Sequence, residues 1–226
     1  VKTKSGKSTA GRLLPSAKLP ADIERSGTDR LLREAMVDMA CDVGCGRLTP
    51  TLVCESADLP LVDFERAFSS IDEAVALVFE EQIGQLLERC QAAYDAETAW
   101  VDGLRALGIE LARWVHVHPS EARFTFVESL SAGDEVALQR EASVARLVKL
   151  VDRGRELLDA PARLPQGFAV AAVGAVMELL VRRLRKREPI SAAELERAIP
   201  ELMFFVIRPY VTAAQAVSEL DRPARL

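Results

Sequence analysis

Aromatic side chains are scarce in this chain: 5% of its 226 residues are Phe, Trp or Tyr. Sheet-rich domains lean on aromatic and β-branched residues to fill a pleated surface, so this scarcity argues against a β architecture. Histidine is scarcer still, with two copies, His116 and His118. Two apart on a helix, they point to nearly opposite sides and cannot chelate one metal ion. The four cysteines, Cys41, Cys45, Cys54 and Cys90, include no C-x-x-C pair. Cys41 and Cys45 lie one helical turn apart, which admits a redox pair, but small buried hydrophobes filling alanine-like positions are the expectation. No apolar run approaches the ~20 residues that a bilayer span needs, and no apolar segment follows the N-terminal lysines as in a secretion signal. A cytoplasmic address is therefore expected. Nucleophile motifs and metal clusters are missing and the carboxylates are scattered, so neither an enzyme nor a cofactor is expected.

Hydrophobic residues make up 49% of the chain, dominated by Ala, Leu and Val, a composition that favours helices. The formal net charge of −5 excludes a uniformly basic nucleic-acid binder, so any affinity for DNA must come from a local patch. Residues 1–27 carry Lys2, Lys4, Lys7, Arg12, Lys18 and Arg25 among Ser, Gly and Pro, and read as a basic, flexible arm. From Thr28 onward apolar residues recur at helical spacing. Helices are expected up to Gly44, over 49–56, from Pro60, and over 70–93, 97–116, 120–130, 134–158, 170–187 and 191–210. Ser70 with Glu73 and Ser191 with Glu194 have the spacing of capping boxes. No stretch alternates like a strand. The fold class is all-α.

Two short helices within Gly44–Phe68 have the spacing of a helix-turn-helix, which sets a reading helix at an angle that a major groove accepts. Gly44, Leu48, Thr49, Val53, Ala57, Leu59, Phe64 and Phe68 fall at the positions of a family signature, followed by Asp72 and Glu73. In these residues, and in the succession of helices behind them, the chain resembles the TetR-type bacterial transcriptional regulators. The resemblance implies a helix-turn-helix head over 28–70 and a ligand-binding, dimerising body over 71–226. It implies double-stranded DNA, a small hydrophobic effector and a second copy of the chain as partners. The DNA-facing residues would be Arg47, Thr49, Pro60, Leu61, Val62, Asp63, Glu65 and Arg66. Asp58 stands where the family has a turn glycine, Pro60 where it has a capping Ser or Thr, and Glu65 where it has Tyr.

Those departures bring acid to a surface that must meet phosphates. Over 31–70 three basic residues (Arg33, Arg47, Arg66) face seven acidic ones, a formal balance of −4. Over 1–30 seven basic residues face three acidic ones, a balance of +4. The arm is thus expected to supply much of the phosphate attraction. The alternative is a ligand sensor or protein-interaction partner whose degenerate head no longer binds DNA.

In the body, the clustering of Trp100, Trp114, Phe124 and Phe126, with His118 nearby and Met177 further on, marks the expected lining of an effector cavity. Val173, Met177, Leu180 and Leu184 on one helix, with Leu202, Phe205 and Val206 on another, are the expected dimer face, completing a four-helix bundle with a second copy.

Overall fold

The computed structural model describes residues 21–226. Every regular element among them is helical. The head comprises α1 (Ala21–Val43), a 3-10 turn (Cys45–Arg47), α2 (Pro50–Ala57) and α3 (Leu61–Ala67). From it α4 (Ile71–Asp95) runs into a body of α5 (Trp100–Val117), α6 (Pro119–Phe126), α7 (Asp134–Asp152), α8 (Phe168–Arg185), α9 (Ala192–Ile207) and α10 (Ala213–Leu220). Helix α1 begins at Ala21, earlier than the expected Thr28; the rest of the expected arm lies outside the described residues.

Local chemistry explains most boundaries. Gly44, at φ 87°, occupies backbone space that a side chain would disfavour, and there the chain leaves α1. Thr49 Oγ1 accepts from Leu52 N at 3.2 Å and Pro50 opens α2. Asp58 ends α2 in the left-handed conformation (φ 54°, ψ 44°). Pro60 sits just ahead of α3 and offers it no side-chain cap.

The two expected capping boxes form by half. Ser70 Oγ accepts from Glu73 N at 3.1 Å, but the Glu73 carboxylate turns to Ser69. Ser191 Oγ accepts from Glu194 N at 3.2 Å, but the Glu194 carboxylate is taken by Arg183. The complete box is at Thr212 and Gln215, which start α10, a helix the apolar spacing did not announce. Two expected helices also end sooner: 120–130 is α6 plus a 3-10 turn (Glu128–Ser131), and 134–158 is α7 plus a 3-10 turn (Arg153–Leu157).

Burial organises these helices around separate apolar clusters. The first joins Leu32 and Met36 of α1, Val53 of α2 and Phe64 of α3 to Val78 and Phe79 of α4, Phe124 of α6 and Val136 of α7. The head therefore rests on a floor made by the body, and each such side chain contributes about 1.5–3 kcal/mol by leaving water. A second cluster gathers Tyr94, Leu104, Val151, Ile199, Ile207 and Tyr210. A third holds Leu86, Cys90, Trp114, Val115 and Leu184. Gly154 is where the second cluster is tightest: a Cβ there would come within 2.5 Å of Trp100 and 2.7 Å of Tyr210.

Candidate functional site

The outward side of the head carries the residues expected to face DNA. Arg47, Thr49, Pro60, Leu61, Val62, Glu65 and Arg66 are exposed, and Asp63 is half-buried. Phe64 and Phe68, with ring centroids 5.2 Å apart, point inward and anchor α3 to the core. The few cations of the head are partly engaged. Arg33 pairs with Glu81 at 3.0 Å and lies over the Phe68 ring, and Arg66 pairs with Asp63 at 3.3 Å. Arg47 forms no ion pair among the described residues. Exposed pairs such as Arg66–Asp63 contribute little and exchange readily, so Arg66 can still turn to a phosphate. The thiols beside this head are shifted away from the thiolate form. Burial pushes Cys41 up to about 11 and Cys45 up to about 12, with the Glu128 carboxylate adding to both.

The body encloses a cavity of about 380 Å³ between α5, α7, α8 and α9. Leu107, Gly108 and Leu111 come from α5, and Leu147 and Val151 from α7. From α8 come Val173, Met177 and Leu180; from α9 come Leu195, Leu202 and Val206. Arg183, Glu194 and Glu201 are the charged residues on its wall. Exposed Leu179 and Glu201 place its mouth between α8 and α9.

The aromatic cluster does not line this cavity. Trp100 packs edge-on against Tyr210 and donates Nε1 to Leu150 O at 2.9 Å. Trp114 meets Phe126 edge-on in the third cluster, while Phe124 is fully buried in the first. His118 sits at the joint of α5 and α6, 3.7 Å from Glu121. Of the six, Met177 alone lines the cavity. Large rings gain most by filling solid interior where helices cross, so their closeness in sequence scattered into three cores.

The expected dimer residues divide as well. Val173 and Leu184 are buried within the protomer. Met177, Leu180, Leu202 and Val206 line the cavity. Phe205 stands out at 46% exposed, with Val170 at 56% and Leu179 at 55% on α8. The α8 stripe is apolar on more than one side, and spacing alone does not say which side turns inward.

Head and body meet where α8 ends. Arg123 of α6 donates Nη1 to Leu184 O at 2.9 Å and pairs through Nη2 with Glu128 at 2.6 Å. Arg187, just past α8, donates to Cys41 O of α1 at 3.1 Å, and Cys41 Sγ donates to Ser120 O at 3.4 Å. Cavity wall and α1 are thus linked through one helix end. Among the described residues no cluster of His, Cys, Asp or Glu could hold a metal, and no helix is long and apolar enough to cross a membrane.

No family model and no curated protein matches the chain. Solved structures do. The fatty acid degradation regulator FadR from Bacillus halodurans superposes with a TM-score of 0.67 at 14% identity, covering 79% of this chain and 97% of that one. A TetR-like transcriptional regulator from Rhodococcus sp. RHA1 gives 0.67 at 18% identity, over 85% and 98%. SmeT, the repressor of the Stenotrophomonas maltophilia multidrug efflux pump SmeDEF, gives 0.64 at 16% identity, over 84% and 93%. The chain has the all-α TetR-type regulator fold.

Proposed function

We propose that this protein is a dimeric transcriptional regulator whose head binds double-stranded DNA and whose body takes a small hydrophobic effector. One observation carries the reading: a helix-turn-helix with its recognition-helix residues turned outward is mounted on a body that holds an apolar cavity. Helix α3 would enter the major groove with Leu61, Val62 and Glu65 towards the base edges. Arg47, Arg66 and the lysines of residues 1–20 would neutralise phosphates.

The structure supports a route for control. An effector between α5, α7, α8 and α9 would press on Val173, Met177 and Leu180 of α8. The end of the same helix holds Arg123 through Leu184 O, and the next turn holds α1 through Arg187. A shift of α8 would thus move the head of each protomer and change the separation of the two reading helices.

A second reading, a sensor whose head no longer grips DNA, draws on the exposed Glu65 and Asp58 and on the engaged Arg33. Selection of duplexes from a randomised DNA library by the intact protein separates the two. Enrichment of an inverted repeat is the outcome for a DNA-binding dimer; an unenriched pool is the outcome for the sensor.

A further inference from the structure

We infer that the cavity takes an uncharged, non-aromatic, aliphatic molecule, such as a medium-chain alcohol, ester or terpenoid. The inference rests on the effector reading of the body and adds the chemistry of the ligand.

Shape and lining set the class. The volume of about 380 Å³ is at the small end of the range for organic ligands. Its wall carries no aromatic ring, hydroxyl, amide or imidazole, so it has nothing to stack on a flat ligand or to orient a polar one. Aliphatic side chains and the thioethers of Met177 and Met203 suit a flexible, saturated partner. The wall also leaves room deliberately small residues provide: a Cβ added at Gly108 would meet nothing within 4 Å.

Charge on the wall excludes ionic ligands. Arg183 donates Nε and Nη2 to the two carboxylate oxygens of Glu194, and this bonding holds that carboxyl below its usual range. Two further Arg183 N–H groups donate to Glu188 O and Pro189 O, each at 3.1 Å. A ligand carboxylate would have to displace Glu194 from a bidentate pair, and an ammonium would have to displace Arg183. Glu201 lies at the mouth, exposed in the protomer. The buried side-chain atoms without a hydrogen-bond partner, among them Thr125 Oγ1, Gln139 Oε1 and Tyr210 Oη, belong to residues away from the wall. The inner wall thus offers no unpaired carboxylate, amide or hydroxyl to a ligand.

The test is calorimetric titration of the full-length protein with four probes: 1-decanol, decanoate, decylammonium and naphthalene. The expected result is saturable binding of 1-decanol, with the other three at least tenfold weaker. Gly108→Leu should abolish 1-decanol binding while its melting temperature stays at or above that of the parent and its oligomeric state is unchanged. Equal or tighter binding of decanoate, lost in Arg183→Met, would overturn the inference in favour of an acid site. Preference for naphthalene or decylammonium, or binding of no probe, overturns it too, as does a Gly108→Leu variant that binds 1-decanol unchanged or alters the oligomer. Because the titration contains no DNA, its outcome is independent of the regulator reading. If 1-decanol binds but leaves affinity for an enriched duplex unchanged, the regulator reading fails and the ligand class stands.

Discussion

Asp58 holds the turn between α2 and α3 at a φ where a glycine has no penalty. Asp tolerates this region better than most residues, yet it retains part of the steric cost. Asp58→Gly should therefore stabilise the protein by about 0.5–1 kcal/mol in urea denaturation, less the extra backbone entropy of glycine in the unfolded chain. It would also remove one acid from the head. The thiols make a second prediction at this scale. Burial pushes Cys45 and Cys90 up to about 12 and Cys41 to about 11, from an ordinary value of 9.0. Iodoacetamide at pH 8 should spare these three in the folded protein and label them once urea unfolds it. The pH dependence follows in sign. Between about pH 9 and 12 the unfolded chain releases thiol protons that the folded chain keeps, so the unfolding midpoint should fall as pH rises through that window. Labelling of all three at pH 8 without denaturant would contradict their burial.

Helices were legible from spacing because each needs only its own apolar stripe and caps; how they cross was not. The positions of Gly44, Thr49, Phe64 and Phe68 mark the head in sequence, since that motif is local and tightly spaced. The cavity was not legible because its wall draws on α5, α7, α8 and α9, with ordinary Leu, Val and Ala that no spacing distinguishes from core. The aromatics drew attention for their rarity and then served as filling, as the contact of Trp100 with Tyr210 across Gly154 shows. Between elements, the Arg123–Glu128 pair is a largely buried joint, with side chains 15% and 11% exposed. Arg123→Met leaves Glu128 beside a neutral neighbour and frees Leu184 O, so a loss on the order of 3 kcal/mol is expected. Thermal or urea unfolding of this variant checks it; an unchanged midpoint would show that the pair contributes nothing to docking α6 on α8.

At the scale of the whole molecule, the exposed Phe205 is the apolar side chain on which the proposed dimer is tested. Phe205→Glu should leave helix content unchanged and convert a dimer to a monomer in light scattering at micromolar concentration; a parent protein that is already monomeric would refute the dimer. The larger claim is that a head of formal charge −4 over residues 31–70 still grips DNA with help from the basic residues ahead of α1. Residues 1–20 carry Lys2, Lys4, Lys7, Arg12 and Lys18 with no acid among them. Counterion release makes such contacts visible as salt dependence. The direct measurement is fluorescence anisotropy of an enriched duplex titrated with intact protein and with protein lacking residues 1–20, from about 50 to 200 mM salt. The expected result is tight, steeply salt-dependent binding by the intact protein, with most of the affinity and a large part of the salt slope lost on truncation. No binding by the intact protein even at the lowest salt, with its fold and dimer intact, would contradict the DNA-binding function itself.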